Sequence, residues 1–168
     1  DTAPERDWTV DVDALLAAVR PDTGIVLVAN PANPTGTRLA RSELERLRNG
    51  LPAYVLLVID EAYGEFSDEL NEPSWSFVDQ GNCVVLRTFS KAYGLAGLRV
   101  GWGLFPPYIA CELAKVLNPN GISVASQAAA LGALEDQAYM RETCALTAET
   151  RTRCATKLSE TGFHVIPS

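Results

Sequence analysis

Residues 54–60 read Tyr-Val-Leu-Leu-Val-Ile-Asp (YVLLVID). The run is short, apolar and rich in β-branched side chains, which predicts a buried strand that delivers Asp60 at its carboxyl end. Ile25 to Val28 (IVLV), bounded by Gly24 and Asn30, predicts another buried strand, and Cys83 to Leu86 (CVVL) a third. Val100 to Phe105 (VGWGLF) predicts a fourth, softened by its glycines. Helical spacing fills the intervals. Val12, Leu15, Leu16 and Val19 follow Asp11, a good N-cap, and Pro21 stops that helix. Leu39, Leu44, Leu47 and Leu51 mark a second amphipathic helix ending near Gly50 and Pro52. A short helix is expected around Trp75 to Asp79, and Pro106-Pro107 opens another that runs to about Val116. From Val124 the chain reads as helix, broken near Asp136, with Gly162 at a C′ position and FHVI (163–166) beginning a further strand. Strands alternating with helices at this rhythm predict an α/β fold, a mostly parallel sheet flanked by helices.

Composition narrows the classes of function. The 168 residues carry 14 Lys and Arg against 21 Asp and Glu, a formal charge of −7. That balance argues against a nucleic-acid binder, which needs a basic footprint. A hydrophobic fraction of 47% excludes a disordered acidic tail. No apolar run is long enough for a membrane span, and the amino end, DTAPERDW, lacks a basic region followed by an apolar one. The four cysteines form no CxxC pair, and His164 completes no zinc set. Cys144 and Cys154 on one helix would stand about 15 Å apart, too far for a disulfide, so free thiols in the cytoplasm are expected.

In parallel sheets, ligands gather beyond the carboxyl ends of strands. Three loops stand there: Asn30 to Gly36, Asp60 to Tyr63, and Thr88 to Lys91. Between Gln80 and Cys111 lie Arg87, Lys91 and Arg99 but no carboxylate, so this Gly-, Ser- and Thr-rich stretch reads as an anion cradle or as ordinary surface charge. Lys91 is one of three lysines. Near other cations its amine would be available as a nucleophile; in isolation it would read as a solvated loop lysine. Asp60 ends an apolar strand and faces a partner at the sheet edge. Asp60-Glu61 as a metal pair lacks a third ligand, and neither a P-loop nor a GxGxxG motif occurs.

NPANPTG (30–36), DEAYGEF (60–66) and TFSKAYGLAGLRVGW (88–102) together resemble the fold-type I pyridoxal-phosphate aminotransferases of classes I and II, and in particular their histidinol-phosphate branch. The motifs stand in family order across essentially the whole chain. The resemblance implies pyridoxal 5'-phosphate as cofactor and Lys91 as the residue that forms the Schiff base and then shuttles the proton. It implies that Asp60 pairs with the pyridinium nitrogen and that Tyr63 and Asn33 hydrogen-bond the ring's 3′ oxygen. Thr88, Ser90 and Arg99 would hold the phosphate, Arg99 through a charge-assisted contact. Pro31, Pro34 and Gly36 are expected to shape the turn that presents Asn33, with Asn30 closing that loop. Tyr93, Gly94, Gly97 and Gly101 are read as packing and backbone-approach residues. Trp8, Trp75 and Trp102 are read as core or interface aromatics, and His164 as a partly buried, non-catalytic histidine.

The resemblance further implies a cytoplasmic homodimer that moves an amino group between an amino acid or amino phosphate ester and 2-oxoglutarate, histidinol phosphate being favoured. Members of the family are about twice this length. The chain is therefore expected to be a central segment, with residues 1–161 a partial cofactor-binding large domain and 162–168 the start of a C-terminal small domain. As an isolated piece it is expected to expose sheet edges and to associate. Gly121 and Ser123 stand where the histidinol-phosphate branch often carries asparagines. That departure keeps open an aromatic amino-acid aminotransferase, a decarboxylase of the same fold, or an inactive fragment or sensor domain.

Overall fold

The computed structural model describes residues 2, 4–67 and 74–168. Four strands, β1 (Ile25–Ala29), β2 (Leu56–Asp60), β3 (Cys83–Thr88) and β4 (Gly101–Leu104), form one sheet in the order β1-β2-β3-β4. The first three are parallel and β4 is antiparallel to β3, with Thr88 opposite Gly101. The amino end of β4 therefore lies at the same edge as the carboxyl ends of the other three.

Helices α1 (Val12–Ala17), α2 (Arg41–Gly50) and α3 (Ser76–Asp79) pack on one face of the sheet. Register puts Val28, Ile59 and Val85 in one row across β1, β2 and β3, and Leu44 and Leu47 of α2 join them in the core. Asp11 caps α1 by accepting the Ala14 amide at 3.1 Å. Arg48, buried on α2, donates to the carbonyls of Leu51, Pro52, Val55 and Asn82 and so fixes the turn that leads into β2.

Helices α4 (Pro107–Val116), α5 (Val124–Glu135) and α6 (Gln137–Glu160) follow the sheet. Asp136 breaks α5 from α6 and caps α6 through the Tyr139 amide at 3.1 Å. Gly162, with φ of +88°, occupies the C′ position of α6, where the left-handed region favours glycine. A second apolar cluster of Phe89, Val100 and Ala130 joins the loop after β3 to α5, and the Ser126 hydroxyl donates to the Leu98 carbonyl at 2.7 Å. All four cysteines are free thiols, Cys144 and Cys154 both lying on α6.

Three expectations are corrected. β1 is not buried on both faces: Ile25 and Leu27 are each 62% exposed, because α1 and α2 cover only the face that carries Val28. FHVI (163–166) forms no strand, since no edge among the described residues pairs with it. His164 is exposed rather than partly buried and lies 2.8 Å from Asp7.

Candidate active site

The site is assembled where three strands end and one begins. After β1, the Asn30 amide side chain donates to the Leu39 carbonyl at 3.2 Å and accepts the Leu39 N–H at 2.7 Å, closing the loop as expected. Inside it, Gly36 N donates to Ala32 O at 2.8 Å and Ala32 N to Thr37 O at 2.9 Å; Gly36 takes a φ of +71°. The loop presents Asn33, whose Nδ2 donates to the Tyr63 hydroxyl at 3.1 Å.

After β2, Asp60 stands half-buried with Oδ1 accepting the Ala62 amide at 2.9 Å, and the chain turns through Gly64–Phe66. That bond orients the carboxylate and leaves Oδ2 for another donor. After β3, the Thr88 hydroxyl accepts the Ser90 amide at 3.1 Å and donates to Ser90 Oγ at 2.9 Å. The Lys91 ammonium stands over the Tyr63 ring, 5.0 Å from its centroid, a cation–π geometry. Arg99 follows the short turn Ala96–Leu98 in the left-handed conformation (φ 51°, ψ 51°), with Nη1 donating to Ala96 O at 2.9 Å and the side chain otherwise exposed. Gly101 permits close approach at this edge, for a Cβ there would meet the Arg87 carbonyl at 2.8 Å.

The structure thus brings Asn33, Tyr63 and Lys91 into direct contact and Thr88 against Ser90. Asp60 and Arg99 reach the same edge, where their hydrogen bonds run to Ala62 and Ala96 rather than to the other candidates. Among the described residues, Lys91 and Arg99 form no ion pair. Arg87 does not belong to the anion cradle: its side chain is buried and paired with Glu61 and Glu65, whose carboxylates consume its charge. Burial pushes the Arg87 guanidinium down, but the two carboxylates more than offset this and hold it above its ordinary value. Gly94 packs against Tyr139, whereas a Cβ on Gly97 would meet open space, so Gly97 has no packing role here. Trp75 and Trp102 meet edge to face at 5.8 Å.

Sequence reasoning did not find Glu65 as a buried acid; its signal was Glu61 and Glu65 flanking Tyr63 while Arg87 lacked a nearby carboxylate in sequence. It also missed a cleft of about 670 Å³ beside the Asn33–Tyr63 contact, walled by Arg38, Phe66, Thr147 and Pro167. The carboxylate, paired hydroxyls, two free cations and phenol suit a ligand that combines a phosphate, a carbonyl and a ring nitrogen.

The fold is that of the fold-type I aminotransferases. A crystal structure of histidinol-phosphate aminotransferase from Sinorhizobium meliloti in complex with pyridoxal-5'-phosphate superimposes with a TM-score of 0.87 at 39% identity, covering 94% of this chain and 44% of that one. Aspartate aminotransferase from Thermus thermophilus with maleate gives 0.85 at 26% identity, over 99% of this chain and 46% of that one. The chain belongs to the aminotransferase class I and II family, which matches residues 1–168. It is 46% identical over 167 residues to a histidinol-phosphate aminotransferase from Granulibacter bethesdensis, covering 98% of this chain and 45% of that relative. Against the corresponding protein of Rhodospirillum centenum it is 46% identical over 168 residues, 99% of this chain and 46% of the relative. The chain therefore spans about half the length of the curated relatives it matches.

Proposed function

We propose that these residues form the central large-domain part of a pyridoxal-phosphate-dependent aminotransferase, with 162–168 leading into a small domain. Histidinol phosphate as amino donor is the reading that the names of the 46% identical relatives favour, and 2-oxoglutarate is the acceptor proposed with it. The observation that carries the proposal is the Asn33–Tyr63–Lys91 contact at the carboxyl edge of the sheet. A soluble cytoplasmic location fits this reading, and no helix among the described residues is long and apolar enough to cross a membrane.

The residues fit the cofactor one by one. When bound, it supplies an electron sink for charge that develops at the substrate Cα. Lys91 Nζ would hold the cofactor covalently and, as a free amine, would take and return the proton at the substrate Cα. Asp60, oriented by Ala62, uses Oδ2 to keep a proton on the ring nitrogen. Because Asn33 donates to the Tyr63 oxygen, the Tyr63 hydrogen is free to be donated to the ring's 3′ oxygen. The Thr88 and Ser90 hydroxyls and the exposed Arg99 guanidinium bind the phosphate.

The test is a pyridoxal-phosphate titration of the whole protein, followed by borohydride reduction and peptide mass mapping. A single adduct on Lys91, absent in Lys91→Ala, is expected. Equal labelling of Lys91, Lys115 and Lys157 without a defined visible band would overturn the proposal. Amino transfer from histidinol phosphate that requires a keto acid then separates transamination from decarboxylation.

A further inference from the structure

We infer that Arg87 is a positioning residue that sets where the Tyr63 phenol stands, by gripping the chain on both sides of it. The inference rests on the cofactor reading above. Arg87 lies on β3, one residue before Thr88, with a side chain only 7% exposed. Its Nε and Nη2 reach Glu61 Oε2 at 2.8 and 2.6 Å, and its Nη1 reaches Glu65 Oε1 at 2.9 Å. Glu61 and Glu65, both buried, stand two residues before and two after Tyr63. Gly64 lies against the guanidinium, for a Cβ there would come within 2.6 Å of Cζ, and the Trp75 ring centroid is 5.9 Å from Cζ.

One planar group on a neighbouring strand thus fixes three residues of the turn that carries Tyr63. A lysine could not do this, because a single ammonium lacks the rigid fork that serves two carboxylates at once. Two buried acids against one guanidinium leave a formal surplus of negative charge, and among the described residues Glu65 Oε2 has no hydrogen-bond partner. A pair kept for stability alone needs one acid; the second is the one that grips the far side of Tyr63. Small movements of this turn carry over to both contacts of Tyr63, the hydrogen bond from Asn33 and the stacking of Lys91.

The test follows the visible band of the whole protein loaded with pyridoxal phosphate as pH is raised. A phenol that donates to the ring oxygen favours the deprotonated state, so Tyr63→Phe moves the midpoint up by about one pH unit, the scale of one hydrogen bond to a charged group. Arg87→Lys is expected to move it in the same direction by at least half as much. So is the triple variant Arg87→Met, Glu61→Gln, Glu65→Gln, which leaves no buried acid unpaired. Adding Tyr63→Phe to either is expected to give less than the sum, since both act through one phenol. A wild-type midpoint in Arg87→Lys and in the folded triple variant, with Tyr63→Phe still shifting it, would overturn the inference and leave the cofactor reading intact. A wild type without a visible band, or one whose midpoint ignores Tyr63→Phe, would overturn that reading and the inference with it.

Discussion

The Asn33 side-chain amide donates to the Tyr63 hydroxyl at 3.1 Å, tying the loop after β1 to the loop after β2. Thirty residues of chain separate the two, and Ala32, the residue before Asn33, is held by backbone bonds to Gly36 and Thr37. Asn33→Leu removes the donor but keeps the volume. It is expected to weaken pyridoxal-phosphate affinity about 10-fold, the scale of one hydrogen bond, while borohydride still labels Lys91. Equilibrium dialysis of the reduced and unreduced protein reads both quantities.

Arg99 opposes stability and binding at one position. Its left-handed backbone is unfavourable for any residue with a Cβ, whereas its guanidinium is the cation proposed for the phosphate. Arg99→Gly is expected to raise stability by about 1 kcal/mol in urea unfolding while lowering cofactor affinity 10- to 100-fold. Arg99→Ala is expected to lose the affinity without the gain in stability.

Two glycines in the loop region separate packing from bystander. Gly101→Ala places a methyl 2.8 Å from the Arg87 carbonyl and 3.5 Å from Thr88 Cα, where backbone cannot yield cheaply. A loss of about 1–3 kcal/mol is expected. Gly97→Ala meets open space at a backbone any residue can adopt, and its effect on the fold is expected to stay within about 0.5 kcal/mol. Thermal unfolding of the two variants side by side checks the contrast.

Burial pushes the Cys83 thiol up to about 11, with the Arg48 charge only partly countering it. The ordinary thiol value is 9.0, so the unfolded chain releases this proton first. Its contribution to stability is therefore whole below pH 9 and is lost as pH rises from 9 towards 11. Cys83→Ala is expected to be less stable at pH 7, because of the cavity, yet to lose less stability between pH 9 and 11. Chemical denaturation at stepped pH measures both slopes.

The alternation of strand and helix was legible because short β-branched runs and 3.6-residue spacings are local properties. So were the cap at Asp11, the helix break near Asp136 and the loops holding Asn33, Asp60, Tyr63, Lys91 and Arg99. What escaped depends on distant partners. An apolar run such as IVLV does not say which of its faces a helix will cover, so the exposure of Ile25 and Leu27 was invisible. FHVI has strand composition, but a strand exists only where another edge accepts its hydrogen bonds. Arg87 looked like part of a cationic stretch because its neutralising acids lie 22 and 26 residues away.

The antiparallel pairing of β3 with β4 bears on the order in which the site comes together. Residues 89–100 connect adjacent strands, so Ser90, Lys91 and Arg99 sit on a hairpin that can close by itself. Asn33 and Tyr63 reach the edge on parallel crossovers, whose strands pair only after the longer stretches 30–55 and 61–82 have been drawn in. Loop closure disfavours those longer contacts, which places the lysine and arginine in register early and leaves the phenol and amide to arrive with the parallel strands. Nascent or partly folded chains would then display the two cations before the groups that orient a ring against them.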